Sequence, residues 1–337
     1  MASARWLDTP PSGWEDLLRD DPNATPAHRP TLAWTLAATL GGMTPVWIAV
    51  EEGGALTGGA PVMMERRAGL QRLFAMPFML PGAPLARAGT HARVDEAVAG
   101  AIAERSSGLF GGEWVLYRPE GPEPEPVAVE RVPGETRRTE SAIVDLREGV
   151  EPAWKQLNPY ARHGIRAARR RGLVFAEEPG AVEEAYVLYV AQAKEWSRHR
   201  PRPLEMWRRL VSTGDGGGPA ARLFTVRIGS DLLAALLALV HARETLAWMS
   251  GAHPEARQRN AFSVLEWGLA EWAAAAGCDR LNLGASEGLD PVMTFKRRMG
   301  ARFHDYPVRR FGWGEPAMRA LRAWWGPRLA RGGERAA

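Results

Sequence analysis

Between Asn260 and Gly300 the chain changes its hydrophobic period twice within a short span, and few folds accommodate that order. Residues 261–276 place Leu265, Gly268, Leu269 and Trp272 on one stripe. With Asn260 as N-cap and Gly277 as C-cap, this spacing predicts a helix. A short apolar strand, Leu281-Asn282-Leu283, follows and runs into Gly284-Ala285-Ser286. After a polar loop comes a short helix on which Phe295 and Met299, at i and i+4, share a face. Lys296 is turned by about 100° from that face, and Gly300 stands where a left-handed cap would fall. Open α/β sheets bind ligands at the carboxyl ends of their strands. Lys296 is therefore either a group facing a ligand or a plain surface cation on a connecting helix.

Composition removes several classes. The 337 residues suffice for two domains or one large one, and 45% hydrophobic with 24% charged residues is ordinary for a globular protein. A net charge of +4 permits a local anion patch without calling for nucleic acid, and DNA is not an expected partner. The single cysteine, Cys278, excludes an internal disulfide and reads as a buried thiol. The seven histidines have no paired spacing, so no metal site is expected. The amino-terminal stretch shows no apolar leader core, and the longest apolar run, Leu232 to Val240, is too short to span a bilayer. The expectation is a cytoplasmic protein without a transmembrane segment, compatible with peripheral membrane contact.

The first half reads as two helices (Trp14–Leu18, Thr31–Leu40), three strands (Pro45–Val50, Leu56–Met64, Gln71–Phe78), a helix (His91–Arg105) and a strand (Trp114–Tyr117). Residues Pro119–Glu135, rich in proline and acid, suit a linker or an extended excursion at a sheet edge. The second half resumes with a strand at Ile143–Leu146 and short helices at Val150–Leu157 and Tyr160–Arg171, the latter opened by Asn158-Pro159. A strand at Leu173–Ala176 and helices at Val182–Trp196 and Leu204–Val211 follow, then a glycine-rich loop at Ser212–Pro219. Strands are expected at Leu223–Ile228, Leu232–His241 and Thr245–Met249. After the stretch described above come a strand at Arg302–Phe311 and a helix at Pro316–Leu329. The middle of the second half repeats the order of the first, which suggests duplication of one α/β unit.

This order resembles the GNAT N-acyltransferase fold. In its duplicated form the chain is similar to the FemAB aminoacyltransferases and the FemAB-like (BioF2-like) acyltransferases. Trp154–Val174 is similar to the family's tryptophan-led helix, Leu223–Gly251 to its three-stranded unit, Asn260–Ser286 to its long helix, strand and loop, and Thr294–Gly300 to its Phe-Lys-x-x-x-Gly segment. The resemblance implies an α/β (α+β) architecture of two tandem GNAT-like domains with mixed sheets. These are expected at 1–145, joined by the helix at 316–337, and at 146–316. It also implies a sheet splayed between its fourth and fifth strands, with an acyl donor in the gap.

The implied reaction is attack by an amine on an activated acyl carbonyl. For the peptidoglycan-building members the donor is aminoacyl-tRNA and the acceptor a cell-wall precursor; the donor is a co-substrate and no bound cofactor is expected. Lys296 is implied as catalytic, its ammonium stabilising an oxyanion or a leaving ribose oxygen. Arg162 and Arg166, on a basic helix face with Arg169 and Arg170, are expected to bind phosphates. Arg198 and Arg202 are expected at precursor phosphates, and Ser286 and Phe295 beside the substrate. The alternative donor is acyl-CoA, with an envelope polysaccharide or amino sugar as acceptor. However, Arg257-Gln258-Arg259-Asn260-Ala261-Phe262 lacks the glycines of a usual pyrophosphate cradle. A further alternative is a non-catalytic module binding envelope precursors.

Overall fold

In the computed structural model, which describes residues 2–194, 200–216 and 218–317, the chain begins with β1 (Ser3–Leu7), α1 (Trp14–Asp20) and α2 (Pro30–Thr39). An antiparallel run of β2 (Met43–Glu52), β3 (Ala55–Arg67) and β4 (Leu70–Phe74) follows, then β5 (Leu85–Ala86), α3 (His91–Ser106), β6 (Gly111–Val115), α4 (Pro126–Arg131) and β7 (Gly134–Asp145). The second half comprises α5 (Val150–Gln156), α6 (Pro159–Arg170), β8 (Leu173–Glu177), α7 (Val182–Ala193) and α8 (Leu204–Ser212). Next are the two-residue strands β9 (Gly214–Asp215) and β10 (Gly218–Pro219), then β11 (Ala221–Ile228), β12 (Asp231–Val240) and β13 (Glu244–Ala252). Finally come α9 (Ala256–Arg259), α10 (Ala261–Ala275), β14 (Arg280–Asn282), α11 (Asp290–Arg298) and β15 (Arg302–Phe311).

Two compact units emerge. One gathers Met1–Leu17, Gly42–Arg138 and Pro307–Ala337; the other gathers Leu18–Gly41 and Thr139–Tyr306. Three of the four divisions fall inside α1, β7 and β15 and one between α2 and β2, so neither unit is one continuous stretch of chain. In the first unit β1, β2, β3 and β4 pair in sequence, β6 joins β4 in parallel, and β15 pairs antiparallel with β6 from Val308↔Val115 to Phe311↔Gly112. The second unit repeats the scheme. β8, β11, β12 and β13 are antiparallel neighbours, β14 joins β13 in parallel, and β7 pairs antiparallel with β14.

The second unit's core explains its order. Leu232 to Leu239 of β12 are all buried, so this continuous apolar run forms a central strand covered on both faces. Helix α10 packs its buried stripe on this sheet, where Gly268 meets Phe175 of β8; a Cβ at 268 would stand 2.3 Å from the Phe175 ring. Phe175 in turn stacks on Phe224, with ring centroids 5.4 Å apart.

Several expectations shift. The proline-rich stretch contains α4, with Pro126 in its first turn, where a missing N–H costs nothing. Ser3–Leu7, to which no element was assigned in the sequence, is a strand against β2. The glycine-rich loop carries the small β9–β10 ladder, and its Asp215 receives Arg29 and Thr31 from the Leu18–Gly41 segment of the same unit. Asn158 caps α6 as expected, its Oδ1 accepting the Tyr160 N–H at 2.9 Å. Asn260 does not cap α10 through its side chain. It adopts φ 57° because the chain reaches α10 out of α9, and Asn tolerates that left-handed step. Most of the expected helix at 316–329 lies outside the described residues.

Candidate active site

Three residue pairs join β13 to β14: Glu244↔Arg280, Thr245↔Leu281 and Leu246↔Asn282. Beyond them β13 runs on to Ala252 beside β12 alone, with a bulge at Trp248. The chain leaving β14 instead stays with β7. Leu283 N–H donates to Ala142 O at 2.8 Å, and Ala142 N–H to Gly284 O at 3.1 Å. Among the described residues the β13 edge from Ala247 onward thus has no strand beside it on that side. The sheet opens here into a gap whose one wall is Gly284-Ala285-Ser286.

That wall is held by side chains from distant parts of the sequence. Asn282 Oδ1 accepts the Gly284 N–H at 2.8 Å, and Gly284 sits at φ 72°, where its lack of a Cβ avoids strain. Asn282 Nδ2 donates to Glu244 Oε1, and Arg280 Nε donates to Glu244 Oε2 at 2.6 Å. Arg280 also reaches the carbonyls of Pro22 and Ala24. On the other side Glu140 Oε1 accepts the Ser286 N–H at 2.9 Å. The Ser286 hydroxyl is buried and has no hydrogen-bond partner.

Lys296 reaches the same wall from α11. Its Nζ donates to Gly284 O at 2.9 Å and Ala285 O at 2.7 Å, and the residue is only 7% exposed. Burial lowers its pKa to about 8, against the opposing pull of Glu266, Glu140 and Glu287. An ammonium has three donors. With two on backbone carbonyls, one N–H remains beyond the loop contacts. This narrows the sequence expectation: the lysine anchors the loop as well as carrying charge.

Glu266 of α10 is the residue sequence reasoning missed. It is buried in a narrow crevice with Val144, Trp267, Ala270, Leu281, Leu283 and Met299, and its Oε2 has no hydrogen-bond partner. Burial raises its pKa to about 7, with Lys296 pulling the other way. A signal existed, since an acid interrupts an otherwise apolar stretch of helix. Nothing local marks it as enclosed, because residues of β14 and the end of α11 close over it from far along the chain.

The remaining expected residues separate. Phe295 packs on Phe262, ring centroids 5.8 Å apart, so it serves the core. On α6, Arg169 is committed to a bidentate bridge with Glu271, and Arg166 lies over the Trp154 ring at 5.2 Å. Arg162 reaches the Lys155 carbonyl at 3.5 Å. Ser286 belongs to the loop with Lys296; the α6 arginines form an outer face, with Tyr160 87% exposed beside them. The Arg202 backbone is bonded to the hydroxyls of Tyr186 and Tyr189, and burial lowers the basicity of its guanidinium. Arg198 lies outside the described residues. Cys278 is buried against Thr245, and burial pushes its thiol pKa up. Among the described residues no group of three acids, histidines or cysteines is placed to hold a metal ion.

Residues 157–297 match the sequence profile of the acetyltransferase (GNAT) domain, the segment that contains the splayed sheet, Glu266 and Lys296. This stretch is thus a GNAT-type acyltransferase domain, and the chain as a whole has the fold of the solved FemX structure. FemX is similar over 94% of this chain and 99% of its own, at TM-score 0.70 and 10% identity. A protein from Agrobacterium fabrum, described as the C-terminal domain (DUF2156) of a lysylphosphatidylglycerol synthetase, covers 92% of this chain and 96% of its own at TM-score 0.59 and 14% identity. A tandem GNAT protein from the clavulanic acid biosynthesis pathway covers 91% and 98% at TM-score 0.52 and 13% identity. At these identities the likeness is one of fold. No curated protein is significantly similar in sequence.

Proposed function

We propose that the protein transfers an aminoacyl group from charged tRNA to an amine of a peptidoglycan or other cell-envelope precursor. The observation that carries the choice of donor is α9. A CoA pyrophosphate needs free backbone N–H groups ahead of the long helix. Here that position is a closed helical turn: Ala256 N–H donates to His253 O, Arg259 N–H to Glu255 O and Asn260 N–H to Arg257 O. The side chain of Phe262 turns to Phe295 beneath it. A tRNA ester needs no such cradle, and the exposed arginines of α6 suit its phosphates. The similarly folded lysylphosphatidylglycerol synthetase is named for an aminoacyl product.

In the reaction the amine lone pair attacks the ester carbonyl carbon in the gap. The carbonyl oxygen becomes an oxyanion, which the remaining Lys296 N–H can bond. The C–O bond to the ribose then breaks, an amide remains, and the amine's proton passes to solvent as the ribose oxygen takes one up. Charged tRNA is a cytoplasmic donor, in keeping with a chain in which no described helix is long and apolar enough to cross a membrane. The test is to supply charged tRNA and acyl-CoAs separately, with labelled acyl groups, and to follow label into envelope precursors. Transfer from tRNA is expected; label moving only from CoA overturns the proposal.

A further inference from the structure

Helices α6 and α11 meet end to end. The Asn158 N–H at the start of α6 donates to Arg298 O at the end of α11 at 2.9 Å, and Gly300, just beyond, lies against Gln156. Lys296 reaches from α11 to the Gly284-Ala285 wall, while its neighbours Arg297 and Arg298 are exposed. On the outer face of α6, Tyr160, His163, Arg166 and Arg170 are all exposed. The last three, at i, i+3 and i+7, form one stripe, with Tyr160 a turn before it.

Charge on this surface is one-sided. Residues 152–171 hold one lysine and five arginines, residues 291–303 one lysine and three arginines, and neither stretch contains an acid. Because the whole chain carries only +4, the remainder is net acidic, so positive charge is gathered here. Among the described residues only Arg169 of these arginines forms an ion pair, with Glu271. The Tyr160 ring packs on no other described ring, and its hydroxyl has no partner there. A lone exposed aromatic is ordinary on a protein surface. One set in a row of free guanidinium groups has the composition of a single-strand binding face, where rings stack bases and cations track the backbone. A duplex keeps its bases in its own stack and offers such a ring no partner. A lipid surface would ask for an apolar face, and in these two stretches Tyr160 is the sole exposed large hydrophobic residue.

We propose that the outer face of α6 and the last turn of α11 bind the unpaired 3′ end of the donor RNA, with a base stacked on Tyr160 and phosphates on Arg166, Arg170 and Arg298. Resting on the donor proposed above, this surface adds a route to the gap. Helix α11 carries exposed arginines on one side and Lys296 on the other, so a strand lying along α6 ends beside the helix that holds the lysine.

A short fluorescein-labelled single-stranded RNA ending in CCA carries no acyl group, so its binding to the full chain, followed by anisotropy, is independent of the transfer chemistry. Tyr160→Ala should weaken that binding about tenfold, while Tyr160→Phe, which keeps the ring, should bind as the parent does. Arg298→Gln should weaken it and lower its salt slope by about one. The same sequence closed into a blunt hairpin should bind the parent and Tyr160→Ala alike. Tyr160 is almost fully exposed, so its replacement leaves the fold in place, which circular dichroism checks. No binding of the single strand to the parent, or equal binding by parent and Tyr160→Ala, overturns the proposal. So does a Tyr160→Ala variant that loses binding only to phosphatidylglycerol vesicles, which makes the face a membrane contact. Donor and surface fail distinguishably. Label moving only from acyl-CoA removes the donor and the surface's role with it, whereas transfer from charged tRNA with an unchanged KM in Tyr160→Ala removes the surface and leaves the donor standing.

Discussion

The Lys296 ammonium stands 2.7 Å from the Ala285 carbonyl oxygen and 2.9 Å from that of Gly284, so the one buried cation of α11 is spent largely on shaping a loop. Its lowered pKa means that the fold works against the charge it holds. Replacing it by methionine should relieve that cost while removing the oxyanion donor. The expected outcome for Lys296→Met is a fall in kcat of about 100-fold or more with a melting temperature equal to or above the parent's. Transfer kinetics and thermal unfolding on the same preparation check this; a destabilised but active variant contradicts it.

Glu266 should also write itself into the pH dependence of stability. Its folded pKa, about 7, lies above the ordinary 4.5. The folded state therefore binds more protons between those values, and the contribution is full below 4.5 and lost as pH rises through about 7. The effect is at most about 3 kcal/mol. His241 acts oppositely: burial first, then His28 and nearby arginines, hold it at about 3 against 6.5. Its contribution is present above 6.5 and lost as pH falls toward 3. Urea midpoints at pH 5 and pH 7.5 should separate the two. Relative to the parent, Glu266→Gln should gain more at pH 7.5 than at pH 5, and His241→Gln should gain more at pH 5.

The contact of Gly268 with Phe175 makes a steric prediction. Gly268→Ala puts a methyl against the middle of a ring fixed between α10 and Phe224, and should cost about 1–3 kcal/mol despite alanine's better helix propensity. The double variant with Phe175→Leu should recover part of that loss. Equilibrium unfolding of the two singles and the double provides the measurement.

Arg166 tests the donor surface. It is exposed on α6 and lies over Trp154. If α6 receives tRNA phosphates, Arg166→Glu should weaken binding of charged tRNA several-fold and reduce the salt slope by about one. Binding curves at two ionic strengths show it. Equal affinity in both proteins removes α6 from the interface.

The readable parts of this chain were those whose physics is local. The stripe of α10, the apolar run of β12, the Asn158 cap and the Phe295–Met299 spacing each declare themselves within a few residues. What stayed hidden depends on neighbours far along the chain. Glu140 meets Ser286 across 146 positions, and Glu266 gives no local sign of enclosure, since β14 and the end of α11 close over it from far along the chain. Phe295 sits next to the lysine in sequence yet turns to Phe262, because adjacent helix positions face different ways. Asn260 misled for a local reason: α9 leaves it in a left-handed step, and its side chain then lies near Gly164 of α6 instead of capping.

The pairing of β15 with β6 sets a schedule for biogenesis. The first unit holds most of the early residues described, but its sheet takes in Pro307–Phe311, which leave the ribosome after every strand of the second unit. Until they arrive, β6 presents an unpaired edge, a liability in a nascent chain. The second unit has all of its strands once Tyr306 has emerged. Of the two units, the one begun first is therefore completed second, and a ribosome that stops short of Pro307 releases a chain with an open sheet edge.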